Sequence, residues 1–188
     1  MLKLTNGIIL YHGSYCEVSH PELQKCAKQK DFGQGFYLTS SREQAISFLN
    51  TSISKAITKG DITEKQNYGI ISKFEIECNQ ELSVHMFPDA DSEWLHCIAA
   101  HRKKKCFAEL QEKMNSFDVI IGKIADDTTN ATLAAYIAGA FGTMGSKEAD
   151  EFCIRQLLPE KLKDQYCFKT EKALACLQFI GGEKIWLK

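Results

Sequence analysis

A chain of 188 residues is long enough to bury about two-thirds of its unfolded surface in one domain. With 44% apolar and 25% charged residues it has the composition of an ordinary globule, which excludes disordered and fibrous classes. A net charge of −1 excludes any global pull toward nucleic acid or anionic membrane and leaves only local patches for such contacts.

In chain order, the apolar run Ile8-Ile9-Leu10-Tyr11 predicts a strand over 7–12, and 13–30 reads as a loop-rich crossing with a short helix at 21–29. A second strand is expected over 35–39. Ser40 or Ser41 then caps a helix in which Ala45, Ile46, Leu49, Ile53, Ala56 and Ile57 recur at helical spacing. Gly60 and the polar run to Asn67 make a loop. Residues 69–77 alternate as a half-buried strand with Phe74 and Ile76 inward. Asp91 or Ser92 opens a helix carrying Trp94, Leu95, Ile98 and Ala99 and ending near Lys105. Residues 117–122 form a buried strand, which Ala125-Asp126-Asp127-Thr128 leaves into a loop. Helices over 129–141 and 146–157 are broken by Gly142 and Gly145. A strand over 165–169 leads into a helix capped by Thr170, and two short strands surround Gly181-Gly182. Strands and helices are mixed irregularly, with no repeat, which predicts an α+β fold rather than a βαβ alternation.

No apolar run approaches the roughly 20 residues that span a bilayer. The start, Met1-Leu2-Lys3-Leu4-Thr5-Asn6, has no long apolar core and no small-residue cleavage site, so a cytoplasmic protein without a membrane partner is expected. The eight cysteines contain no CxxC pair, and several occupy apolar positions, as Cys167 does between Tyr166 and Phe168. All eight are expected as reduced thiols. His96, Cys97, His101 and Cys106 are the best metal candidates, Cys97 and His101 sharing a helix face. Their spacing lacks the tight pairs of zinc sites, and no metal is expected.

The most informative stretch is Asp31-Phe32-Gly33-Gln34-Gly35-Phe36-Tyr37-Leu38-Thr39. Gly33 and Gly35 allow positive φ and let a flat ligand lie against the backbone. Tyr37 offers an aromatic face and a hydroxyl. Twenty residues upstream, the first strand ends in His12-Gly13-Ser14. This pair of segments resembles the NAD cleft of the ADP-ribosyltransferase superfamily, in its poly-ADP-ribose-polymerase-like branch. There the second signature reads Phe-Gly-Lys-Gly-Ile-Tyr-Phe, against Phe32-Gly33-Gln34-Gly35-Phe36-Tyr37-Leu38 here. The resemblance runs from Leu10 to about Phe179. It implies one ADP-ribosyltransferase-like domain over 1–188, a split β-sheet core with a cleft between two sheets and flanking helices, and NAD as the ADP-ribose donor.

By the same resemblance, His12 bonds a ribose hydroxyl and Gly13 brings its backbone to the nicotinamide carboxamide, with Ser14, Gly33 and Gly35 beside them. Tyr37 and Phe48, eleven residues apart, sandwich the nicotinamide; plain core packing is the alternative for both. The serine that the family keeps three residues before the second aromatic is Ala45 here, so its contact is lost or moved to Ser41 or Ser47. The late catalytic Glu is replaced by Gln165, which brings no negative charge to an incipient cation. Asp126 and Asp127, just after a buried strand, are the substitute carboxylates, and helix capping is their alternative role. Gln165, Asp126, Asp127 and Tyr37 are therefore the catalytic candidates.

The basic run Arg102-Lys103-Lys104-Lys105 suits a solvated helix end, and Arg102 reaches a pyrophosphate if its helix faces the cleft. The expected function is transfer of ADP-ribose from NAD to a protein or nucleic acid, or to water in an NAD glycohydrolase. The resemblance adds the context of a bacterial toxin kept beside an antitoxin or immunity partner. The alternative is a catalytically weak or inactive fold that binds NAD, ADP-ribose or a protein partner.

Overall fold

The structure is a computed structural model that describes residues 4–64, 66–103, 106–125 and 129–187. It is α+β, built on two sheets. The first joins β1 (Ile9–Ser14), β3 (Tyr68–Ile76) and β7 (Leu177–Trp186) in the order β1-β3-β7, antiparallel throughout. The second joins β2 (Phe36–Leu38), β6 (Asp164–Phe168), β5 (Val119–Lys123) and β4 (Val84–Met86) in the order β2-β6-β5-β4, with only β4 and β5 parallel. One bridge ties the sheets together: Tyr11 and Thr39 exchange backbone bonds of 2.8 and 3.0 Å.

Three apolar layers follow from strand alternation. Leu10, Phe74 and Ile76 of the first sheet meet Phe36, Val119, Ile121, Tyr166 and Phe168 of the second. Ile120 and Cys167 point the other way, into a core made by Trp94, Leu95, Ile98, Leu133, Ala149 and Cys153. Those residues come from α3 (Ser92–Arg102), α5 (Asn130–Ile137) and α6 (Lys147–Leu157). β5 is thus covered on both faces, which is why it reads as a continuous apolar run. On the outer face of the first sheet, α1 (Arg42–Ser47) and α2 (Leu49–Lys59) pack Ala45 and Leu49 against Ile71. α4 (Ala108–Asn115) packs beside α3, and α7 (Glu171–Leu174) precedes β7.

Side-chain caps begin several helices where sequence logic puts them: Ser41 accepts from the Gln44 amide, Asp91 from Trp94, Ser146 from Ala149 and Thr170 from Ala173. Other expectations need correction. The helix at 21–29 shrinks to one 3-10 turn, Leu23–Lys25. The helix after Ser41 is two, α1 and α2, which meet at Phe48. The two short strands around Gly181-Gly182 are one ten-residue strand whose register slips by a residue opposite Lys73 and Phe74. Gly181, at φ 138°, takes the conformation this bulge needs.

Cys78 and Cys176 form a disulfide, Cα atoms 4.5 Å apart, so not every cysteine is a thiol. Ile76 pairs with Leu177, and the two cysteines sit side by side just beyond that pair despite a separation of 98 residues. Cys97, Cys153 and Cys167 are buried, and burial pushes each thiol up to about 12, whereas Cys16 is exposed. A thiolate-directed reagent at neutral pH should therefore modify Cys16 early and leave those three untouched until the chain unfolds. Peptide mapping after timed labelling checks this, and early modification of Cys97 would contradict the packing. No helix among the described residues is long and apolar enough to cross a membrane.

Candidate functional site

β1 continues past the Tyr11–Thr39 bridge to Ser14, but β2 does not stay with it. Tyr11 and Thr39 point their backbone groups at each other, and the two-residue period of a strand turns those of Gly13 and Tyr37 the same way. These N–H and C=O groups face one another across strands that have separated. The wedge is His12. Its Nδ1 lies 2.8 Å from the Tyr37 carbonyl, and its ring packs on Phe36 at 4.6 Å. Because the carbonyl only accepts, Nδ1 carries the proton and Nε2 keeps a lone pair. Burial lowers the imidazole pKa, the nearby Lys30 charge adds to this, and the Tyr37 bond opposes it. His12 is thus a neutral ring with an acceptor to offer.

The opening belongs to a cleft of about 1000 Å³, which Gly13, Ser14, Tyr37, Phe48 and Gln165 also line. That volume is at the upper end for small-ligand clefts. The glycine loop reaches the cleft at Gly35. Tyr37 Oη accepts from the Phe32 N–H at 2.9 Å and donates to the Gly33 carbonyl at 2.8 Å, so its hydroxyl clamps the loop, while the residue packs against the helical core and lines the cleft. Burial holds this phenol well above its ordinary range, and proton transfer from it is disfavoured.

From below, Lys169 Nζ donates to the Phe32 carbonyl at 2.6 Å. The space a side chain would take at Gly33 (φ 84°) is filled by the His101 ring at 2.7 Å, and at Gly35 by Cys167 Sγ at 2.5 Å. Protein packing thus crowds both positions, and Gly35 also lines the cleft.

One group that sequence reasoning passed over stands in this wall. Asp31 is 8% exposed, and its carboxylate accepts from Arg102 Nε at 3.1 Å, Arg102 Nη2 at 2.6 Å, the Ala125 N–H at 3.2 Å and Gln165 Nε2 at 3.1 Å. Gln165 Nε2 also donates to the Lys123 carbonyl at 3.0 Å. Register puts Gln165 two residues before Cys167, the partner of Tyr37, and so on the same face of the sheet. Arg102 does face the cleft, but it is engaged with Asp31 and with Asn130 Oδ1 at 2.6 Å. The catalytic candidates Asp126 and Asp127 lie outside the described residues.

Phe48 lines the opposite wall, with Lys30 Nζ 5.5 Å and Lys55 Nζ 5.2 Å from its ring centre. These lysines bring positive charge to that side of the cleft. Ala45 leaves no hydroxyl there. Ser41 is used as the α1 cap and also donates to Glu43, while Ser47 lines the cleft but donates to the Gln44 carbonyl. The metal candidates are otherwise engaged: His96 Nε2 lies 2.6 Å from Asp150 Oδ2, His101 Nδ1 2.8 Å from the Cys97 carbonyl, and Cys106 bonds the Ala99 carbonyl. Among the described residues no group of three His, Cys, Asp or Glu side chains is arranged to hold a metal ion.

No curated protein and no solved structure matches the chain. One family does, DUF3990, described as proteins of unknown function, over residues 8–179. That span starts just before β1, runs into β7 and includes every cleft residue named above. The chain belongs to the DUF3990 family.

Proposed function

We propose that this protein is an NAD-dependent ADP-ribosyltransferase with an ADP-ribosyltransferase-like split sheet, and that the cleft beside His12 holds NAD. The observation that carries this function is the gap between β1 and β2. The Gly13 N–H and C=O turn toward the β2 side with no strand bonded to them, and a carboxamide has one donor end and one acceptor end to meet that pair. A planar ring attached to that carboxamide would lie beside the Tyr37 and Phe48 rings, and His12 Nε2 can accept from a ribose hydroxyl.

In the reaction the bond between ribose C1′ and the nicotinamide nitrogen breaks, and its electron pair leaves with a now neutral nicotinamide. Positive charge builds on C1′ and the ring oxygen, as in glycoside hydrolysis. An acceptor nucleophile forms the new C1′ bond and gives up its proton. The test is incubation of the protein with NAD and measurement of nicotinamide and of ADP-ribose on added protein or nucleic acid. Nicotinamide above background is expected; measurable NAD binding with none released would defeat the enzyme assignment.

A second function, binding of NAD or ADP-ribose without turnover, is favoured by one specific feature. Gln165 carries no charge, and both of its Nε2 hydrogens go to protein acceptors.

A further inference from the structure

We propose that Gln165 works as a hydrogen-bond acceptor of fixed orientation toward the nicotinamide ribose, with Asp31 as the residue that positions it; this rests on the ADP-ribosyltransferase function above. An amide can ordinarily present either end. Here Nε2 sits 3.1 Å from Asp31 Oδ2 and 3.0 Å from the Lys123 carbonyl, two atoms that can only accept. Turning the amide over would set Oε1 against both oxygens, so Oε1 is the end left for the cleft.

Asp31 cannot move aside to relieve such a clash. Arg102 holds its Oδ1 through two nitrogens and the Ala125 N–H holds its Oδ2. Donating to an anion also polarises an amide, enriches Oε1 in electron density and strengthens the bonds it accepts, by about 10–30% per bond in a hydrogen-bonded chain. The site thus turns a neutral side chain into an acceptor-only group that faces the growing positive charge, and the full charge stays one bond behind it on Asp31.

A glutamate at 165 would bring its own oxygens against Asp31 Oδ2 and the Lys123 carbonyl, so installing the carboxylate should damage the site.

The test measures NAD turnover and NAD affinity for the full chain and for Asp31→Asn and Gln165→Glu, together with the side-chain amide resonances of Gln165 in 15N-labelled protein. Asp31→Asn is expected to lower kcat about 10- to 100-fold, the range for a misaligned reacting group, and to change KM only a few-fold. Gln165→Glu should lose turnover too, and it retains the Asp31–Arg102 pair should Asp31→Asn fail to fold. Turnover in Gln165→Glu at or above that of the unaltered protein would overturn the proposal. So would a Gln165 amide pair unmoved by Asp31→Asn. If the unaltered protein released no nicotinamide, the transferase function would fall, and the amide resonances would still decide the orientation.

Discussion

Gly13→Ala is expected to destabilise the protein by about 3 kcal/mol or more, the upper end of overpacking costs. A Cβ at Gly13 meets the backbone of Ala45, its carbonyl carbon at 2.9 Å and its oxygen closer still. Backbone cannot rotate away as a side chain can, so the whole of α1 must shift off β1. Gly69 makes the control. The nearest atoms to its Cβ would be the Leu49 Cδ methyls, at 2.7 and 3.0 Å, side-chain ends rather than backbone, so Gly69→Ala should cost less. For a chain of this size, about 3 kcal/mol corresponds to roughly 6–12 °C in Tm, which a thermal melt reads directly. The damage should extend to ligand binding, because α1 ends at Phe48 in the cleft wall. An unchanged Tm would mean that the close packing of β1 on α1 is wrong.

The same glycine shows what sequence reasoning can and cannot reach. His12-Gly13-Ser14 marks a special strand end, yet the crowding at Gly13 comes from a helix thirty residues later. Gly33 and Gly35 signal a constrained turn, but their constraint is His101 beneath one and Cys167 beneath the other. β3 and β5 were legible because burial on one face or both leaves a period of two or an unbroken apolar run. The three-residue β4 has too few positions to show a period, and it exists because it pairs with β5. α4 begins after Phe107, which sits at φ 48° without a side-chain cap, so no start signal announces it. Asp31 was the largest omission. Charged residues in loops are mostly solvated, and this one is buried only because Arg102, Ala125 and Gln165 converge on it from three distant segments. A constellation assembled by tertiary structure leaves no local pattern to read.

His12→Ala should lower NAD turnover about 10²-fold, comparable to removal of one preorganised polar group from a reacting centre. The variant loses both the Nε2 acceptor and the ring that joins β1 to the Tyr37 carbonyl and to Phe36. The pH dependence is the more specific readout. Since burial lowers the His12 pKa, the folded ring stays neutral down through its ordinary value of about 6.5. NAD affinity should therefore be flat from pH 8 to that point and fall only below it, when Nε2 gains a proton and can no longer accept. Stability follows the same sign. The unfolded chain takes up the proton first, so it binds more protons than the folded one, and stability drops as pH falls below about 6.5. His85 and His101, also lowered chiefly by burial, add to that slope. Glu183, held near 2 by Arg42 and Lys73, remains charged across the window and contributes nothing to it. The His12→Ala variant should show a shallower acid slope in a series of thermal melts. Loss of NAD affinity already between pH 7.5 and 6.5 would instead mark an imidazole titrating as in water, incompatible with a half-buried ring whose pKa desolvation lowers.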